Sequence, residues 1–363
     1  MLACLFAAIV LAPLNQEKAA IPWTFSAPGS ENSEFIVQIS AEQRKPPKVS
    51  PLNRWQFSWV FPGLARTPGQ EDVYSLRFRT YVQSRDEKKD LGPLVTRSLL
   101  HLYGFNVRKL RLDHSPSYFR RIVDVYLCDR GKAGGEQRFG EDPGITDEYG
   151  NPQRTNQIYI YDLPSFTKPL EMIREIAHEY GHATLPPIGG YKAPESWANG
   201  FLGEHLYLVW IARELREGRL KPVDTLGATS ADLQLYIRNK ISPKVQNAAT
   251  TRPDTGLEKR DASGMDALIG LALYAENLLP ESVFRRSLML TGQNPSEYAN
   301  AIVEASSELT TTPIAIPSFL VGKQIWVPIG KGKLSGAKAI TSHKGWALIK
   351  APSSKVHVSH TIR

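Results

Sequence analysis

Residues 169–190 read PLEMIREIAHEYGHATLPPIGG, and this stretch contains the pattern that decides the predicted fold. Its apolar residues recur at intervals of three and four, which is typical of one buried face of an α-helix. The residues of that face are Leu170, Ile173, Ile176, Ala177 and Tyr180. We therefore predict a helix that begins near Pro169 and ends by Pro186 and Pro187, because proline cannot continue a helix interior.

The same helix carries His178-Glu179-Tyr180-Gly181-His182, an HExxH motif. Two histidines four residues apart project from one face of a helix, so both imidazoles can reach one zinc ion. The intervening Glu179 then lies beside the metal-bound water as its base. The apolar residues occupy the opposite side of the helix, so the predicted ligands face a cleft. The alternative is a pair of surface histidines with a solvated glutamate.

The motif and its surroundings resemble the zincin metallopeptidases, and within them the glutamate-zincins, which include thermolysin-like enzymes and the M1-type aminopeptidases. The resemblance covers roughly residues 122–214. The residues after His182 lack the glycine and third histidine of HExxHxxGxxH, which excludes the metzincin branch. The resemblance implies an α+β catalytic domain of zincin type, a bound Zn²⁺ and a glutamate as the third ligand.

Two glutamates compete for the place of third ligand, Glu195 and the alternative Glu204. In thermolysin-like enzymes the ligand heads an E-x-x-x-D segment whose acid supports a ligating histidine, and Glu195-Ser-Trp-Ala-Asn199 is similar, with Asn199 in the supporting position. Chain geometry also favours Glu195: in a second, antiparallel helix starting near Pro194, it lies closer to the level of His182 than Glu204 does. Tyr191 is a candidate donor to the oxyanion, with simple packing as the alternative.

The wider chain divides into four predicted segments. Residues 1–20 contain an uncharged apolar run of thirteen residues, Leu2–Leu14, which is typical of a secretory signal and too short to span a bilayer. In residues 21–88, apolar and polar side chains alternate in short runs that are typical of strands. This pattern predicts an N-terminal β domain. Residues 89–312 predict the metallopeptidase domain, and residues 313–363 a small basic β domain. No later segment is long and apolar enough for a transmembrane helix.

Between the first predicted domain and the HExxH helix, the pattern predicts a helix that ends near Gly104 and two strands, Ile122–Asp129 and Gln157–Asp162. The residues between these strands, 130–156, are polar and glycine-rich and are predicted as a long loop. The resemblance implies that the strand at Gln157–Asp162 is a sheet edge that pairs with an extended peptide.

The formal charge of +8 comes from 44 basic and 36 acidic residues, and it is concentrated at the C-terminus. Residues 309–363 contain no aspartate or glutamate, whereas the other 308 residues are neutral overall. The basic residues of this tail are Lys323, Lys331, Lys333, Lys338, Lys344, Lys350, Lys355 and Arg363. Such a surface favours an anionic polymer as partner, and the alternative is a solvated face; nucleic acid is not expected.

Together these features predict an exported zinc metallopeptidase, secreted or periplasmic, that acts on a peptide or protein substrate. Only two cysteines are present, Cys4 and Cys128, which excludes disulfide-rich and cysteine-zinc folds. Two alternatives remain open. One is a non-catalytic envelope binding protein that uses the basic tail, and the other is a zinc amidase acting on cell-wall material.

Overall fold

The computed structural model describes residues 23–26, 34–37, 59–66, 74–83, 90–114, 119–146, 152–353 and 355–360. The predicted signal segment, residues 1–20, lies outside these ranges. The described chain combines helices with three β-sheets, which confirms the mixed structure expected of the α+β class. Within these ranges, no helix combines the length and the apolar character needed to cross a membrane.

The largest sheet has seven strands in the described part of the chain. They are β1 (Trp23–Ser26), β2 (Glu34–Val37), β3 (Trp59–Arg66), β4 (Tyr74–Val82), β5 (Phe119–Leu127), β6 (Gly134–Thr146) and β7 (Pro152–Tyr161). Their order across the sheet is β1-β2-β3-β4-β5-β7-β6. The pairs β4/β5 and β5/β7 are parallel and the others are antiparallel.

The helices follow the sheet strands or connect them. They are α1 (Leu91–Phe105), α2 (Pro169–Thr184), α3 (Asn199–Arg216), α4 (Ser230–Tyr236), α5 (Ser242–Thr250), α6 (Ala262–Leu278), α7 (Glu281–Leu290) and α8 (Tyr298–Ser307). The HExxH helix therefore spans the residues that the sequence predicted. It begins with a proline in its first turn, and the extended Leu185 ends it before the two prolines.

The core lies on the face of the sheet that α1 and α2 cover. Phe78, Val123 and Ile158 point to this face and belong to one cluster with the apolar residues of both helices. The alternate residues Tyr81, Tyr126 and Tyr159 point to the opposite face, where their rings stack with centroids 4.8 Å apart. This alternation is the two-residue period of β-strands, and it fixes which face α2 covers.

Three parts of the sequence interpretation need correction, because strand pairing between distant segments is not visible in local patterns. The strands of the predicted N-terminal domain, 21–88, continue into the same sheet as β5, since β4 pairs with β5. The predicted loop at 130–156 contains β6 and the first residues of β7. The segment Gln157–Asp162 is not at the edge either, because β7 lies between β5 and β6.

The C-terminal strands form two three-stranded sheets. They are β8 (Thr311–Ile314), β9 (Gln324–Pro328), β10 (Lys333–Ser335), β11 (Ala339–His343), β12 (Trp346–Lys350) and β13 (Val356–Ser359), in the orders β10-β13-β8 and β11-β12-β9. The predicted boundary at residue 313 falls inside β8. The tail also shares the core of the helices: Trp346 is buried and donates its Nε1–H to the carbonyl of Ala299, 3.2 Å away.

Because Trp346 packs into the core that the tail and the helices share, we expect Trp346→Ala to lower the free energy of unfolding by about 3–5 kcal/mol, measured in urea. Ile340→Ala is the matched control on the neighbouring strand. Its side chain is 54% exposed, so the change should stay within about 0.5 kcal/mol. Two separate unfolding transitions, with only one shifted by the Trp346 substitution, would show that the tail is an independent domain.

Candidate metal centre

Helix α2 presents the two histidines of the motif on one face. The ring centroids of His178 and His182 lie 4.9 Å apart. The helix can lie close to α3 because glycines meet at the crossing: a Cβ on Gly181 would come within 2.5 Å of the carbonyl oxygen of Asn199 and 2.9 Å of the Cα of Gly203. The close crossing brings the N-terminal half of α3 beside both imidazoles.

Glu195 completes a group of three donors with these histidines. Its Oε2 lies 3.1 Å from Nε2 of His178 and 3.2 Å from Nε2 of His182. One donor atom from each residue lies within 4.8 Å of the others, close enough to hold one metal ion. Contrary to the sequence interpretation, Glu195 is not on a helix, because α3 begins only at Asn199. It lies in the loop that joins α2 to α3.

A second observation also indicates that the donor set suits a metal ion. The other carboxylate oxygen of Glu195, Oε1, is buried without a hydrogen-bond partner among the described residues. A buried carboxylate oxygen left in this state is costly unless a further group satisfies it. Two imidazole nitrogens and one carboxylate leave room for additional ligands on a cation, as in catalytic rather than structural metal sites.

Asn199 orients His182 from the side opposite the donor group. Its Oδ1 lies 3.0 Å from Nδ1 of His182, and its Nδ2 faces the carbonyl oxygens of His182 and Leu185 at 3.3 and 3.4 Å. Because the amide nitrogen donates to these carbonyls, Oδ1 must accept from Nδ1–H of His182. This tautomer leaves the lone pair on Nε2, which points to Glu195.

Glu204 contacts His178 in the way that Asn199 contacts His182. Its Oε2 lies 3.4 Å from Nδ1 of His178, whereas Glu195 contacts Nε2 of the same ring. Arg174 donates to Glu204 Oε1 at 2.7 Å, and the hydroxyl of Tyr236 donates to the same atom at 2.6 Å. The geometry therefore places Glu195 among the donor atoms and Glu204 behind the imidazole, where it orients His178.

These contacts shift the pKa values of the metal-free group strongly. Burial disfavours the charged form of His178, but hydrogen bonds to Glu195 and Glu204 outweigh it and raise its pKa to about 10. The same hydrogen bonds, against the effect of burial, lower the pKa of both carboxyls well below their usual range. A proton therefore remains on His178 at neutral pH without metal, and metal binding must displace it.

Glu179 lies beside this group on α2 and is only 4% exposed. Its Oε2 has no hydrogen-bond partner in the described part of the chain. Burial raises its pKa to about 8, and the neighbouring carboxylates Glu175 and Glu195 add to the shift. A buried carboxyl with a raised pKa is suited to take up and release a proton near neutral pH.

Glu179 is covered by β6, a strand within the segment that was predicted as a loop. A Cβ on Gly135 of β6 would lie 2.5 Å from Cγ of Glu179 and 2.8 Å from a carboxylate oxygen of Glu175, so only glycine fits between β6 and α2 here. Glu175 precedes Glu179 by four residues, and this spacing was the sequence signal that could have placed both carboxylates on one face of α2.

The remaining candidates are not brought into the group. The hydroxyl of Tyr191 is buried without a hydrogen-bond partner among the described residues, and it makes no bond to the three donors. Nδ1 of His205 bonds the carbonyl of Phe201 at 2.8 Å, and burial lowers the pKa of the ring. Burial raises the pKa of the Cys128 thiol far above its usual range, which makes it unreactive.

No protein-family model matches the chain, and a comparison with curated proteins found no match.

Gly200 provides a test of where the metal would sit. A Cβ at this position would lie 2.2 Å from Nε2 of His182 and 2.6 Å from Nε2 of His178. We expect Gly200→Ala to reduce metal affinity at least about 100-fold in calorimetric titration, because the methyl group enters the space between the donors. Alanine is favoured over glycine by about 1 kcal/mol within a helix, so circular dichroism should show α3 intact. Unchanged metal affinity would place the metal elsewhere.

The two glutamates should respond differently to substitution. Glu195→Ala removes a donor atom and should weaken metal binding sharply, leaving only the residual affinity of the two histidines. Glu204→Ala removes only the group that orients His178, for which losses of about 10- to 100-fold are typical. Equilibrium dialysis of both variants measures this difference. If Glu204→Ala loses the metal while Glu195→Ala retains it, the assignment of the third ligand is reversed.

Proposed function

We propose that the protein is a zinc-dependent metallopeptidase of zincin type. The observation that carries the proposal is the convergence of two imidazole nitrogens and one carboxylate oxygen within 4.8 Å, beside the buried Glu179. Two histidines and a glutamate form a common donor set for catalytic zinc, with the fourth position left for water or substrate. The HExxH helix packed under a mixed sheet supports the same proposal.

In this proposal His178, His182 and Glu195 would hold the zinc ion. When bound, the ion supplies Lewis-acid chemistry for the scissile carbonyl. Glu179 accepts a proton from the attacking water and returns it to the leaving amine, a role for which its buried place beside the donor group is favourable. Asn199 and Glu204 keep both imidazoles in the tautomer that points Nε2 at the ion. The burial of Glu179 keeps bulk water away from the proton that it carries.

The substrate in this proposal is a peptide or protein that binds in an extended conformation. Among the described strands, β6 pairs only with β7, so its other side is a sheet edge. The same strand contacts Glu179 through Gly135. A peptide added to this edge would run beside the proposed base, and such pairing uses main-chain hydrogen bonds that do not depend on side-chain sequence. β6 replaces β7 as the proposed substrate strand.

Export and a second partner are also proposals. The seven lysines of the tail are all exposed, and they surround a strand region that contains no carboxylates. They are Lys323, Lys331, Lys333, Lys338, Lys344, Lys350 and Lys355. Their charge supports binding to an anionic polymer outside the cell. The same centre would serve a zinc amidase acting on cell-wall material, and digestion of peptides against cell-wall fragments separates the two activities.

Glu179→Gln should leave the zinc content unchanged and lower peptide hydrolysis by about 10²- to 10⁴-fold, because the amide cannot take up a proton. The measurement is digestion of a peptide library, with zinc content determined on the same sample and chelator added to one portion. Glu175→Gln is the matched control one helical turn earlier, and it should retain most of the activity. A Glu179→Gln variant with most of its activity, or a zinc-loaded protein that cleaves no peptide, would refute the proposed function.

A further inference from the structure

The third metal ligand depends on a loop. Glu195 lies between the end of α2 at Thr184 and the start of α3 at Asn199, and no regular element fixes its position. Inside this segment, residues 185–198, the amide of Ala198 donates to the carbonyl of Ile188 at 2.8 Å. This bond closes the base of the loop, but it does not fix the orientation of the loop relative to α2.

Two backbone hydrogen bonds attach this ligand loop to turns beside α6 and α7. The amide of Gly189 donates to the carbonyl of Gln293 at 3.0 Å, and the amide of Lys192 donates to the carbonyl of Arg260 at 2.8 Å. The two acceptors are far apart in sequence. Arg260 precedes α6, and Gln293 lies in the turn between α7 and α8. The position of the loop therefore depends on how these two turns are held together.

The side chain of Arg260 joins the two turns. Its Nη1 donates to the carbonyl of Leu257 at 2.9 Å, and its Nη2 donates to Oδ1 of Asn294 and to Oγ of Ser296, both at 3.0 Å. Asn294 follows the acceptor residue Gln293 directly in the chain. One guanidinium thus fixes the distance between the two carbonyls that hold the ligand loop, and its planar geometry suits this use better than lysine.

We infer that Arg260 is a positioning residue for the metal ligand Glu195, acting through the two backbone anchors of the ligand loop. The inference rests on the proposed zinc centre, although not on peptide hydrolysis. It predicts that loss of the guanidinium lets the loop shift, so that the carboxylate of Glu195 no longer stays at the donor position while His178 and His182 on α2 remain in place.

The test is a double-mutant cycle on Zn²⁺ affinity. We expect Arg260→Ala to weaken zinc binding about 10- to 100-fold in an otherwise unchanged chain, in the range seen for residues that orient ligands. In a Glu195→Ala background the same change should alter the residual affinity less than about 2-fold, because the ligand on which Arg260 acts is gone. A competing chromophoric chelator allows both ranges of affinity to be measured.

Two controls separate positioning from general destabilisation. Arg286→Ala removes another arginine, whose Nε contacts both carboxylate oxygens of Glu308 at 2.8 and 3.0 Å, and should leave zinc affinity unchanged. The zinc affinity of Arg260→Lys should fall between that of the wild type and that of Arg260→Ala. In the Co²⁺-loaded protein, Arg260→Ala should shift the visible absorption bands towards those of Glu195→Ala, a change that a merely less stable fold would not produce.

The cycle has clear contrary outcomes. Equal losses of affinity in both backgrounds would show that Arg260 acts on the whole fold, and an unchanged affinity after Arg260→Ala would show that the anchors do not need it; either result overturns the inference. Absence of zinc binding in the unaltered protein would overturn both the inference and the proposed function. Zinc binding without peptide cleavage would overturn the proposed function alone. The inference would stand, because the double-mutant cycle measures zinc affinity and not hydrolysis.

Discussion

The close crossing of α2 and α3 is the constraint on which the proposed metal centre depends. A Cβ on Gly203 would lie 2.4 Å from the Cα of Gly181, so neither helix tolerates a side chain at the contact. Because the backbones approach this closely, short side chains from α3 reach the far sides of both imidazoles. Asn199 contacts His182, and Glu204 contacts the other histidine of the motif. A wider crossing would leave both rings free to rotate.

The crossing also concentrates negative charge where a cation would bind. Glu175, Glu179, Glu195 and Glu204 all lie around the two histidines, and Arg174 is the cation that pairs directly with one of them. Buried carboxylates in such proximity must be protonated or compensated. Without a cation, the protein does this with a raised pKa at Glu179 and a retained proton on His178. A divalent cation would replace these protons and leave Glu179 in its charged form.

Patterns of residues close together in sequence predicted the parts of the molecule that depend on contacts within one helix. The spacing of apolar residues gave the bounds of α2, and the four-residue spacing of the histidines placed both on one face. Glu195 was favoured as the third ligand on the expectation that it lies on the second helix. That helix begins five residues later than predicted, but the loop before it brings the carboxylate to the level of the histidines. The strand β6 was missed because it is polar and rich in glycine, and the parallel pairing of β4 with β5 across α1 is a long-range contact that periodicity does not show.

The same distinction between local and long-range contacts determines how the centre is held together. Two donors belong to α2 and are oriented by side chains of α3, whereas the third follows the turns that carry Arg260 and Gln293. Those turns flank α6, α7 and α8, and the tail strands support these helices: Tyr274 of α6 donates to the carbonyl of Trp326, 2.8 Å away, and Ala299 of α8 accepts from the indole of Trp346. A route of direct contacts therefore links the basic tail to Glu195. In the proposed centre the HExxH helix supplies two donors and Glu179, but the completeness of the donor set depends on packing that extends to the C-terminal strands.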